Sequence, residues 1–96
     1  MAAWKNLDKK QVKTLTNLLV DGLKEHRIIA TVELEPSGAP GRYRLYVISQ
    51  DFEPMAEAER QDIVWRVLKE KWTRENQLRI TLSLALTKKE AQGTWS

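Results

Sequence analysis

Between Asp8 and Glu25 the apolar positions fall three or four apart: Val12, Leu15, Leu19 and Leu23, with Leu18 alongside. That period predicts a helix with one apolar stripe, capped by Asn6 or Asp8. The pattern then changes to alternation. From Arg27 to Glu35, the side chains Ile28, Ala30, Val32 and Leu34 share one side, and Ile29, Thr31, Glu33 and Glu35 share the other, which predicts a strand. Pro36-Ser37-Gly38-Ala39-Pro40-Gly41 is rich in turn residues, and Tyr43 to Ser49 reads as a second strand, so the pair is expected to form an antiparallel hairpin. Asp51-Phe52-Glu53-Pro54 opens a second helix that runs to about Trp72, with proline tolerated in the first turn. Val64, Val67, Leu68 and Trp72 line its apolar face. Arg60 falls close to that stripe, and a cation there needs a partner. Asp51 or Glu53 at the helix start can supply it, so an Arg60–Asp51 ion pair is expected.

The clearest strand spans 78–86, where Leu78, Ile80, Leu82, Leu84 and Leu86 alternate with Arg79, Thr81, Ser83 and Ala85. Thr87-Lys88-Lys89-Glu90 then has capping-box spacing and predicts a short final helix. The order α-β-β-α-β-(α) predicts an α+β two-layer sandwich, with a mixed three-stranded sheet and the helices over one face. The long helical crossover puts the third strand parallel to the second or next to it. Ile80, Leu82, Leu84, Val64, Leu68, Leu15 and Leu19 are the expected core. One domain accounts for residues 1–96, with flexible ends expected over 1–6 and 93–96.

Composition narrows the function classes. Apolar residues make up 42% and charged residues 30%, which fits a folded domain rather than a disordered chain. No apolar run approaches the ~18 residues of a membrane span. The opening Met1-Ala2-Ala3-Trp4-Lys5 lacks the apolar stretch of a signal peptide, so a cytoplasmic location is expected. Cysteine is absent, which removes disulfides, thiol nucleophiles and thiolate metal ligands together. The net charge is +3, unevenly spread. Residues 51–62 carry five acidic and one basic side chain, inside flanks that are mainly basic.

Three segments carry a resemblance: Ser49-Gln50-Asp51-Phe52-Glu53, Glu59-Arg60-Gln61-Asp62-Ile63-Val64-Trp65 and Thr87-Lys88-Lys89-Glu90. Together they resemble the BolA family, whose pattern is S-x-x-F-x-G, then R-H-R-x-V-Y on the long helix, then T-P-E-E after the last strand. Phe52, Arg60, Val64, Thr87 and Glu90 match that pattern, with Trp65 in the aromatic position. Ser37 to Tyr43 is similar to the S-G-G-C-G loop of one branch. The resemblance covers roughly residues 8–92 by order and spacing. It implies a fold similar to the class II KH domain. It also implies a monothiol glutaredoxin as partner, often with a shared 2Fe–2S cluster. The family's cluster ligands are a histidine at the start of the last strand and a cysteine or histidine in the hairpin loop. Here those positions hold Arg79 or Thr81, and Pro40. None is a thiolate or imidazole, so no iron–sulfur cofactor is expected on this chain.

His26, the only histidine, is expected at the end of the first helix, where an imidazolium gains from the helix dipole. No phosphate loop, dinucleotide fingerprint or H-E-x-x-H motif occurs, so an enzyme is not expected. The acidic start and basic end of the second helix are what the macrodipole favours. Two readings remain. The first is a non-enzymatic BolA-like protein-binding adaptor or regulator, monomeric or weakly dimeric, meeting a glutaredoxin near Pro40, Arg42 and Arg79. The second is a KH-like nucleic-acid-binding regulator using Arg42, Arg44, Arg66, Lys69 and Arg79. Against the second, Phe52-Glu53-Pro54-Met55 lacks the glycine pair of a KH clamp and lies in the acidic block, so nucleic-acid binding is expected to be weak. Trp4 and Trp95 are candidates for docking on a partner.

Overall fold

The computed structural model describes residues 5–95. The elements in order are α1 (Lys9–Glu25), β1 (Thr31–Pro36), β2 (Tyr43–Ile48), a 3-10 turn at Gln50–Phe52, α2 (Glu57–Lys71), α3 (Arg74–Gln77), β3 (Ile80–Leu86) and α4 (Lys88–Trp95). The sheet order is β1-β2-β3, with β1 antiparallel to β2 and β2 parallel to β3. Helices α1 and α2 pack on each other, α1 against β1 and α2 against β3. The result is the expected α+β arrangement with a mixed three-stranded sheet. Flexibility at the chain ends and docking by Trp4 and Trp95 concern residues wholly or partly outside those described.

Asp8, not Asn6, caps α1: its Oδ1 accepts from the Gln11 N–H at 2.8 Å, and Gln11 Oε1 accepts from the Asp8 N–H at 2.9 Å. The helix ends at His26, as expected. Beyond it, Arg27 takes a left-handed φ of 63°, donating to Lys24 O, while Ile28 donates to Leu23 O. This is a Schellman ending with an arginine where glycine is usual. Gly22 lets α1 approach α2, since a Cβ there would overlap Val67 Cγ1. Trp72 seals the contact by donating its indole N–H to Leu15 O at 3.0 Å.

The last strand corrects the expected core. Leu15, Leu19, Val64 and Leu68 are buried, and Ile80 packs against the core. Leu82, however, is 47% exposed, and Leu84 lies outside the core cluster. Tyr43 pairs with Ile80 but Arg44 with Leu82, so Thr81 is an extra residue that forms a bulge. The bulge reverses the parity of the strand. Ser83 and Ala85, paired with Leu45 and Val47, therefore turn toward the helices. Leu82, Leu84 and Leu86 share the opposite face with Arg44, Tyr46 and Ile48.

The start of the second helix also differs from expectation. Residues 50–52 form a separate turn, and α2 begins only at Glu57, so Pro54 precedes the helix rather than sitting in its first turn. The expected Arg60–Asp51 pair does not form. Asp51 Oδ2 is taken by the Ile29 N–H at 2.9 Å, which pins the lead-in to β1. Arg60 turns the other way. Its Nη1 meets Glu90 Oε1 at 2.7 Å and Ala85 O at 3.3 Å, its Nε donates to Met55 O at 3.0 Å, and its guanidinium lies 6.0 Å from the Phe52 ring centroid. A short helix, α3, follows α2 where the sequence shows no apolar period. It is capped by the Thr73 hydroxyl, which accepts from the Asn76 N–H.

Candidate functional site

The three residues expected to meet a partner, Pro40, Arg42 and Arg79, belong to one end of the sheet. The hairpin loop folds back on itself through Ser37 N–H to Arg42 O at 3.0 Å and Arg42 N–H to Ala39 O at 3.1 Å. Gly38 and Gly41 take φ of 101° and 73°, which make that reversal possible. Arg79 Nη1 donates to Gly41 O at 3.2 Å and to Lys5 O at 2.7 Å. Arg42 Nη1 donates to Leu78 O at 2.6 Å. Loop, N-terminal arm and β3 start are thus stitched together by two guanidinium groups.

Two further residues, with no signal in the sequence, complete the junction. Asn6 Oδ1 accepts from the Gly41 N–H at 2.7 Å, and the Tyr43 hydroxyl accepts from the Leu7 N–H at 2.7 Å. Both are contacts between residues more than thirty positions apart, which no local pattern encodes. Pro40 stays exposed at the loop tip. Beside the junction, an open groove of about 530 Å³ runs between the start of α1 and α3, with Leu7, Gln11, Asn76 and Arg79 among its walls.

The other expected cations do not join this end. Arg44 lies on the sheet face away from the helices and pairs with Glu35 at 2.6 Å. Arg66 and Lys69 are on α2. The two candidate ligand positions on the last strand are engaged as donors: Arg79 as above, and the Thr81 hydroxyl to Tyr43 O at 3.2 Å. His26 ends α1, whose beginning is tied to the hairpin. A helix of 17 residues is about 26 Å long, so His26 stands roughly that far from the loop.

In the segment where a KH clamp is sought, Phe52 is fully buried, and Glu53 and Pro54 are exposed. A shallow hollow of about 330 Å³ there is bordered by Glu53, Arg60 and Glu90. Thr87 and Glu90 form the expected capping box, with the Thr87 N–H on Glu90 Oε1 at 2.8 Å and the Glu90 N–H on the Thr87 hydroxyl at 3.2 Å. The Thr87 N–H, and after it the Arg60 guanidinium, hold the Glu90 carboxyl below its usual range. Among the described residues no helix is long and apolar enough to cross a membrane. No protein-family model and no curated protein matches the chain.

Proposed function

We propose that this chain is a non-enzymatic, BolA-like protein-binding adaptor or regulator that contacts a monothiol glutaredoxin through the hairpin end without supplying cluster ligands. One observation carries the reading. The hairpin loop and the β3 start, the two segments that meet the partner in the resembling family, come together at one end of an α-β-β-α-β-α sheet. Donor chemistry supports the second half. The Pro40 side chain has no donor atom for a metal, Arg79 is committed to carbonyl oxygens, and His26 is a helix length away.

The test is binding of the full chain to a monothiol glutaredoxin from the same cell, run beside total RNA and sheared DNA. The adaptor reading expects a glutaredoxin complex that Pro40→Asp weakens. Nucleic acid retained at about 150 mM salt, with no glutaredoxin complex, would replace it with the KH-like reading.

A further inference from the structure

On α2, Asp62, Trp65, Arg66 and Lys69 follow helical spacing and form a stripe. Trp65 is half-buried, one side packed against the core. Two shallow depressions flank it, each about 390 Å³. The first is walled by Trp65, Leu78 and Ile80, with Lys69 and Arg74 at its border. The second lies between Asp62, Trp65, Arg66 and Lys69. Leu78 is 52% exposed, one of the few large apolar side chains so open to water.

The arginines here differ from those at the hairpin end and on the buried side of α2, while the lysines of α1 are as free as Lys69. Among the described residues, the side chains of Arg66, Lys69 and Arg74 form no ion pair or hydrogen bond. Arg42, Arg44, Arg60 and Arg79 all do. Around the two depressions stand three cations and a single carboxylate, Asp62.

We propose that this face docks an acidic, extended protein segment carrying an apolar anchor. The proposal rests on the adaptor reading and adds a second surface to it. A pocket walled by an indole and two aliphatic side chains favours an apolar side chain by area burial. Tryptophan and arginine are the residues most often found at the energetic centre of protein interfaces. Unpaired guanidinium and ammonium groups around such an anchor complement carboxylates, which also speeds encounter. Single-stranded nucleic acid fits less well. Trp65 has one side against the core, Leu78 and Ile80 offer a base nothing to stack on, and Asp62 repels phosphate.

The full chain, immobilised, is panned against a displayed library of random dodecapeptides, with oligothymidylate as a separate arm. The expected winners combine Asp or Glu with one large apolar residue. Their affinity should fall about tenfold or more in the double variant Arg66→Glu, Lys69→Glu, and several-fold in Leu78→Ser. Both changes sit on exposed side chains, and a far-ultraviolet circular dichroism spectrum like that of the parent verifies folding. Failure to enrich any peptide, enrichment of neutral or basic ones, or binders indifferent to both variants would overturn the proposal. So would oligothymidylate binding tighter than every peptide and lost in the same double variant. Glutaredoxin binding is expected to be unchanged in these variants. Its absence in the parent chain would sink the adaptor reading alone, and its equal loss in the double variant would show that there is only one surface.

Discussion

The hairpin end of the sheet and the outer face of α2 both carry arginines, and the two sets are used in opposite ways. At the hairpin end, Arg79 and Arg42 hold three segments of backbone, donating to Lys5, Gly41 and Leu78. Arg60 belongs with them: it binds Met55 O and Ala85 O with only 11% of its side chain exposed. On α2 and the following α3, Arg66, Lys69 and Arg74 hold nothing among the described residues. Composition and net charge treat these groups alike. Hydrogen-bond commitment separates them, and it says which cations the fold requires and which are free to meet a partner.

The sharpest way to break this contrast is at Arg60. In Arg60→Leu the partly buried carbonyls of Met55 and Ala85 lose a charged donor, and stability should drop by about 1–3 kcal/mol in urea unfolding. The half-exposed Glu90 contact adds little of that. A loss below about 0.5 kcal/mol would mean that water replaces the guanidinium without cost. Arg79→Ala is expected to cost about 1–2 kcal/mol and to speed amide exchange in the hairpin loop, because the N-terminal arm and loop lose their shared donor. Arg27 belongs to neither set, since its backbone rather than its guanidinium matters. With φ at 63°, Arg27→Gly should raise stability by about 0.5–1 kcal/mol in the same assay.

Acid should loosen the committed set by a smaller amount. The folded Glu90 carboxyl titrates below its usual value of 4.5, so its contribution is present above that pH and fades as pH falls through the folded value. Amide exchange in α4 should therefore accelerate below that range, and Glu90→Gln should flatten the dependence. The smallest effect belongs to the free set. Arg66→Glu with Lys69→Glu should leave unfolding within about 0.5 kcal/mol of the parent.

The helices and strands were legible because their apolar periods are long and regular, as in Leu15, Leu19 and Leu23 or Val64, Val67 and Leu68. The bulge at Thr81 was not, since alternating leucines look the same whichever face they take. Parity depended on α2 lying close above Ser83 and Ala85, a tertiary fact. The same holds for Arg60. Its need for a partner was readable from its place on the apolar stripe, but its choice of Glu90 over Asp51 was decided by Ile29, whose N–H claims Asp51. At the hairpin end, the arginines were visible and their grip on Lys5, Gly41 and Leu78 was not, because carbonyl acceptors leave no trace in residue identity.

Edge protection follows from the same contacts. Because Leu86 O accepts from the Ser49 N–H, the carbonyls of Ser83 and Ala85 point to the free edge of β3. There Gln61 Nε2 and Arg60 Nη1 cover them at 2.9 and 3.3 Å. That edge of the sheet is closed to a pairing strand.

The most direct test of partner contact without cluster ligation is a titration of cluster-loaded monothiol glutaredoxin with the full chain. Complex formation is followed by sedimentation, and the cluster by its visible absorption and circular dichroism. A complex that forms while the cluster spectrum stays as it was is the predicted result. A ligand-exchange spectrum that disappears in His26→Ala would contradict it, because a helix-long separation would then have to close on binding.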